Sequence, residues 1–131
     1  MKVKFFRCSV CGKVVYVLDE TVTPMICCEK KMTELIPNSH DAVVEKHCPV
    51  CNVSEGKVHV FVGELTHPMN DEHYIEWICL VTDAGVMFKF LKPEMEPMAC
   101  FCIGKLEKIK GVYAFCNIHM LWVNENNFNK R

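Results

Sequence analysis

The sequence predicts an all-β protein, a small cysteine-bearing N-terminal domain followed by a β-sandwich or barrel. Three observations carry this reading. Short runs rich in Val, Ile, Phe, Tyr and Trp recur at intervals of roughly 8–14 residues through the second half of the chain. Turn-forming groups, Asp83-Ala84-Gly85, Lys92-Pro93 and Lys110-Gly111, separate them. No stretch shows the period of an amphipathic helix, although residues 105–110 are long enough for a single turn.

Residues 3–7 and 14–18 are β-rich runs that bracket Cys8-Ser9-Val10-Cys11. So short a segment cannot hold a core unaided, so a metal or a dimer partner must contribute. Pro37-Asn38-Ser39-His40-Asp41, a cluster of turn-forming types, marks a boundary and gives domains 1–37 and 38–131. In the second domain, residues 57–65, 74–82, 86–91, 99–103, 112–116 and 120–123 each read as a strand.

Bulk properties narrow the function. Half of the 131 residues are apolar, enough for a real core, and no apolar run approaches the ~18 residues of a membrane span. The first eight residues are interrupted by cations and run straight into a CxxC, unlike a signal peptide. A cytoplasmic location is expected, where ten cysteines serve as metal ligands or reduced core residues rather than disulfides. Residues 1–40 carry six Lys/Arg against four Asp/Glu, and residues 41–131 carry nine against twelve. That balance is no nucleic-acid footprint, and it would not steer an anion.

Cys8-Ser9-Val10-Cys11-Gly12 is a metal knuckle. The two-residue gap lets both sulfurs face one ion, and Gly12 lets the backbone turn its amides toward sulfur. Cys27 and Cys28 supply the second pair. Being neighbours, they converge only through a strained turn and a distorted tetrahedron. Four thiolates suit a structural zinc ribbon or an iron–tetrathiolate electron-transfer centre, and residue type does not separate the metals.

Five further residues are candidate donors to a second ion: His47, His67, His73, Cys116 and His119. Four imidazoles and a thiolate are too nitrogen-rich for a structural zinc clamp, and too many for an ordinary catalytic zinc. They leave the sixth position of an octahedron open, which suits a redox-active iron that binds a small molecule. His67 precedes Pro68, which biases it toward extended backbone at the end of a strand. His73 follows across a loop and opens the next strand. Cys116 and His119 lie on a loop between two C-terminal strands, and His47 comes from the segment entering the domain. His40 and His59 read as ordinary polar residues. Glu45-Lys46 alone would be a solvated charge pair. Placed directly before His47, Lys46 is the local cation that an anionic substrate needs.

These residues carry a resemblance. Glu45-Lys46-His47-x-Pro49, His67-Pro68-Met69, His73-Tyr74-Ile75-Glu76-Trp77-Ile78, Leu91-Lys92-Pro93 and Cys116-Asn117-x-His119-x-Leu121-Trp122 resemble the desulfoferrodoxins, two-iron superoxide reductases. Cys8, Cys11, Cys27 and Cys28 resemble that family's desulforedoxin-like N-terminal domain. The resemblance implies a seven-stranded immunoglobulin-like β-sandwich and two irons per chain, with zinc possible at the four-cysteine site. It implies a square-pyramidal iron with His47, His67, His73 and His119 equatorial and Cys116 axial. The activity implied is one-electron reduction of superoxide to hydrogen peroxide, with the thiolate opposite the open face promoting loss of the product. Lys46 would attract superoxide and order water for proton delivery, and Glu45 would bind the ferric ion at rest. A homodimer reduced by a rubredoxin-like donor is also implied. A non-catalytic electron carrier and a zinc-ribbon binding module are the competing functions.

Several residues fall outside that pattern. Cys48 and Cys51 form a second CxxC where the family usually has aliphatic residues. A redox dithiol or an extra metal clamp is conceivable, but two small apolar side chains in a strand is the favoured reading. Cys79, Cys100 and Cys102 are expected in the core. Met120 replaces the glycine that usually follows the last histidine, so a local backbone difference is expected there.

Overall fold

The computed structural model describes residues 3–40, 42 and 44–128, with Glu45 described by its backbone alone. The chain divides into two compact units, Met1–Ile36 and Pro37–Arg131.

In the first unit, β1 (Lys4–Arg7) pairs antiparallel with β2 (Val14–Val17). A short ladder joins β3 (Ile26–Cys27) to β4 (Lys30–Lys31), and β5 (Thr33–Glu34) returns to the other edge of β1. Among its described residues only Phe5, Cys8 and Met32 are buried apolar side chains. Three such residues are far too few to offset the ordering of the backbone. The unit needs further support, from an ion held by its four sulfurs or from a partner chain.

The second unit opens with one helical turn, α1 (Val44–His47), closed by the Cys48 N–H on the Val44 carbonyl at 2.9 Å. Seven strands follow: β6 (Pro49–Ser54), β7 (Lys57–Val62), β8 (Ile75–Thr82), β9 (Val86–Phe90), β10 (Met98–Cys102), β11 (Ile109–Cys116) and β12 (Met120–Asn124). They form two antiparallel sheets, ordered β10-β7-β6 and β12-β11-β8-β9. This is the expected sandwich. The inner faces meet through Val58, Val60, Val62 and Phe101 on one side and Ile78, Leu80, Val112 and Ala114 on the other. Alternation along each strand sets which residues enter that layer.

Turn chemistry fixes the register. Glu55 and Gly56 both have positive φ, at 51° and 78°, as a tight two-residue hairpin requires between Ser54 and Lys57. Thr82 Oγ1 accepts the N–H groups of Ala84 and Gly85 and shapes the β8–β9 turn. Met120 also lies in the left-handed region, at φ 64°. Its pairing with Cys116 leaves three residues between them, a loop whose closing position normally takes glycine. The backbone keeps the conformation that glycine favours, and nothing in the structure explains why methionine occupies it.

Three expectations need correction. Residues 44–47 form a helical turn that the sequence pattern did not reveal, and of the two cysteines read as apolar side chains in a strand only Cys51 lies in one, β6, while Cys48 precedes it. Residues 105–110 hold no helix: Glu107 N–H closes a turn on the Gly104 carbonyl at 3.1 Å, and β11 starts at Ile109. Cys100 and Cys102 are exposed, whereas Cys79 and Cys51 are fully buried. Alternation alone allowed β10 either face inward. Ala99 and Phe101 took the core, and the two thiols were turned to solvent.

Candidate metal centres

The first cluster forms where the β1–β2 loop meets the β3–β4 turn. The sulfurs of Cys8, Cys11, Cys27 and Cys28 all lie within 4.8 Å of one another. Cys11 and Cys27 sulfurs are 3.7 Å apart, close to the roughly 3.8 Å edge of a tetrahedron with metal–sulfur bonds near 2.3 Å. Gly12, at φ 80°, makes the turn that aims the N–H groups of Val10 and Cys11 at Cys8 Sγ, at 3.4 and 3.5 Å. Those two donors pull the Cys8 thiol down to about 6, while thiol neighbours Cys8 and Cys11 hold Cys27 up near 12. Cys28 and Glu29 adopt positive φ, 52° and 62°. That is the strained turn by which adjacent cysteines converge.

The second cluster sits at one end of the sandwich. Donor atoms of His47, His67, His73 and Cys116 lie within 4.8 Å of one another. Nδ1 of His119 is 2.9 Å from Nε2 of His47. The four imidazoles close into a square: successive centroids are 4.6 Å (His47–His67), 4.7 Å (His67–His73), 5.2 Å (His73–His119) and 4.7 Å (His119–His47). The His47–His73 diagonal is 6.2 Å. All four edges are steeply inclined, between 69° and 89°.

Each donor has its own support. His47 ends α1, with its ring 5.0 Å from that of Trp122. His67 Nδ1 bonds the Pro68 carbonyl at 2.6 Å, which leaves the Nε2 lone pair free to point into the square. Asn70 Oδ1 accepts the His73 N–H at 2.9 Å. Asn117 bridges the two ligand loops, accepting the Tyr74 N–H at 2.9 Å and donating to the Glu72 carbonyl at 3.0 Å. Trp122 Nε1 donates to the His119 carbonyl at 3.0 Å. Cys116, fully buried at the end of β11, receives the backbone N–H of His119 at 3.4 Å and that of Ile118.

Two observations test whether these residues fit an ion. The Nε2 atoms of His67 and His73 are buried with no hydrogen-bond partner, a costly arrangement unless something positive sits between them. The 2.9 Å nitrogen–nitrogen separation of His47 and His119 also matches donors at right angles about 2.1 Å from one centre. Burial drives the His67 pKa down to about 4, so its ring is neutral and ready to ligate at neutral pH. Burial also raises the Cys116 thiol, and the two N–H donors oppose the rise. The donor set fits iron.

Without metal, His67 makes stability depend on acidity. An unfolded histidine titrates near 6.5, and the folded ring near 4. Between those values the unfolded chain binds the extra proton, so this contribution is intact above about 6.5 and is lost toward pH 4. The denaturant midpoint of metal-free protein is expected to be lower at pH 5 than at pH 7. Equal midpoints would contradict a buried, neutral His67.

Lys46 is exposed and adjacent to His47, and its charge is felt at His73, whose pKa is lowered first by burial and then by His119 and Lys46. The Glu45 side chain lies outside the described residues. Cys48 stands apart from the square, with its sulfur 3.5 Å from the Val123 carbonyl. The supporting roles of Asn70, Asn117 and Trp122 were not read from the sequence; Asn117, between two ligands, was the available signal.

Comparison with known proteins gives the same assignment for both units. The desulfoferrodoxin family model matches residues 39–125, and the desulfoferrodoxin N-terminal domain model matches residues 1–35. A desulfoferrodoxin from Desulfarculus baarsii is 38% identical over 125 residues, covering 95% of this chain and 98% of the relative. A superoxide reductase from Pyrococcus horikoshii is 41% identical over 99 residues, covering 62% and 85%. The crystal structure of the superoxide reductase from Treponema pallidum superposes with a TM-score of 0.80 at 30% identity, covering 95% of this chain and all of that one. With both family models matched in order and both donor clusters assembled, the chain belongs to the desulfoferrodoxin family.

Proposed function

We propose that this protein is a superoxide reductase, reducing superoxide to hydrogen peroxide with one electron and two protons. The observation that carries the reading is the square of imidazoles around two orphaned Nε2 atoms, with the Cys116 sulfur among them. A ferrous ion held by His47, His67, His73, His119 and Cys116 would supply the electron.

The chain's own groups account for the rest. Lys46 stands in solvent beside His47, where it draws an anion toward the site and orders water for proton delivery. Neutral imidazoles add no charge that must be neutralised. The backbone N–H groups of Ile118 and His119 moderate electron donation from the Cys116 sulfur. Glu45 is assigned to cap the site at rest.

We assign residues 1–37 to an iron–tetrathiolate domain, with zinc as the competing occupant, and residues 38–131 to the catalytic domain. A homodimer, a rubredoxin-like electron donor and a cytoplasmic location complete the proposal. Among the described residues no helix is long and apolar enough to cross a membrane.

Stopped-flow mixing of reduced, iron-loaded protein with superoxide tests the activity. Rapid oxidation is expected, with one peroxide formed per superoxide consumed. Oxidation no faster than by dioxygen would leave only an electron carrier. Cys8→Ser is expected to strip metal from the four-sulfur cluster while most of this reaction survives, because the two clusters share no residue. Loss of turnover with the second centre still loaded would overturn that independence.

A further inference from the structure

The two thiols that the fold turned outward lie in a patterned setting. Cys100 and Cys102 are exposed on β10, alternating with buried Ala99 and Phe101. β10 is an edge strand. In the ladder with β7, Cys100 lies directly opposite His59, and Cys102 opposite Lys57. His59 is half-buried on the same outer face, flanked on its other side by Asn52 of β6. Met98 precedes Cys100 by two residues and shares that face. Free cysteine is normally among the most buried residue types. Here two stand in solvent, two residues apart on one face of the strand, with an imidazole across the ladder.

We propose that His59, Cys100 and Cys102 form a third metal site, open to solvent, for a thiophilic d10 cation such as zinc or copper(I). Residues two apart on a strand share a face about 6.6 Å apart, and directly opposed residues have Cβ atoms about 5 Å apart. Metal–sulfur and metal–nitrogen bonds of about 2.3 and 2.0 Å let side chains at those spacings meet on one ion. Their donor atoms are not yet gathered within 4.8 Å, unlike those of the two clusters above. Closure requires rotation about χ1 of Cys100 and Cys102, which are exposed on the edge strand and can turn between staggered wells toward His59. Two thiolates and one imidazole select soft ions over magnesium or calcium, and water or the Met98 thioether completes the shell. Lys57 is long enough to turn aside from a cation beside Cys102. None of these residues takes part in the two iron centres, so the site is separate from the proposed reaction.

Anaerobic titration of iron-loaded protein against a chromophoric chelator tests this, with zinc and copper(I) as separate probes. The iron absorbance is followed to show that both centres stay filled. Wild type is expected to take up one further equivalent of at least one ion per chain. Cys100→Ser/Cys102→Ser should lose it, and His59→Ala should weaken it by roughly tenfold or more, while superoxide-dependent oxidation stays at the wild-type rate. Which probe binds identifies the ion. No additional equivalent of either ion, or equal uptake by the double variant, would overturn the proposal. His59→Ala and single Cys100→Ser provide the check should the double variant fold poorly.

Discussion

Cys116→Ser is expected to abolish the long-wavelength thiolate-to-iron absorption of the second centre and to slow superoxide-dependent oxidation by roughly a hundredfold or more. The sulfur is fully buried at the end of β11, and its donor atom lies within 4.8 Å of those of His47, His67 and His73. Serine offers a smaller, harder oxygen that stays protonated at neutral pH, so neither the charge nor the polarisable density of a thiolate is replaced. The surrounding strand pairs do not depend on this side chain, since Cys116 meets Met120 and Ile75 through backbone ladders. Circular dichroism should therefore be unchanged. A variant that keeps the absorption band, or keeps the rate, would show that Cys116 is a core residue and not a ligand.

Lys46→Ala should act on approach, not on the metal. Lys46 is exposed, one residue before ligand His47, and its charge is felt at His73. A cation at the mouth of a site raises the capture rate of a small anion by about tenfold or more at low salt, and screening erases the gain. The second-order rate with superoxide is expected to fall about tenfold in Lys46→Ala, with a flatter dependence on ionic strength. Lys46→Arg should retain most of it. The visible spectrum should not move. Identical rates and salt slopes in wild type and Lys46→Ala would remove Lys46 from the proposed mechanism.

How much of this could be read in advance differed from element to element. The long strands of the sandwich announced themselves because β-branched and aromatic runs alternate with turn residues at close spacing. All nine candidate donor residues were readable because each sits in a short motif whose partners are also present. What escaped was set by tertiary context. Strands of two residues, such as β3, β4 and β5, are too short to show a period. The start of β6 at Pro49 left Cys48 outside the strand in which the sequence had placed it beside Cys51. The side-chain amides of Asn70 and Asn117 act across sequence distance, Asn117 bonding Tyr74 over 43 residues. Cys100 and Cys102 were misplaced because residue type argued for burial, while the volume of Phe101 decided which face went in.

The pairing of His47 with His119 joins positions 72 apart along the chain. Bringing ends together over such a span costs about 4 kcal/mol in chain entropy beyond the constant term, so the folded sandwich must meet that cost before the square exists. Cys116 and His119 are also the last donors to leave the ribosome. Assembly of the proposed iron site therefore waits on the β11–β12 hairpin, and a chain truncated before that hairpin would carry only His47, His67 and His73 of the square.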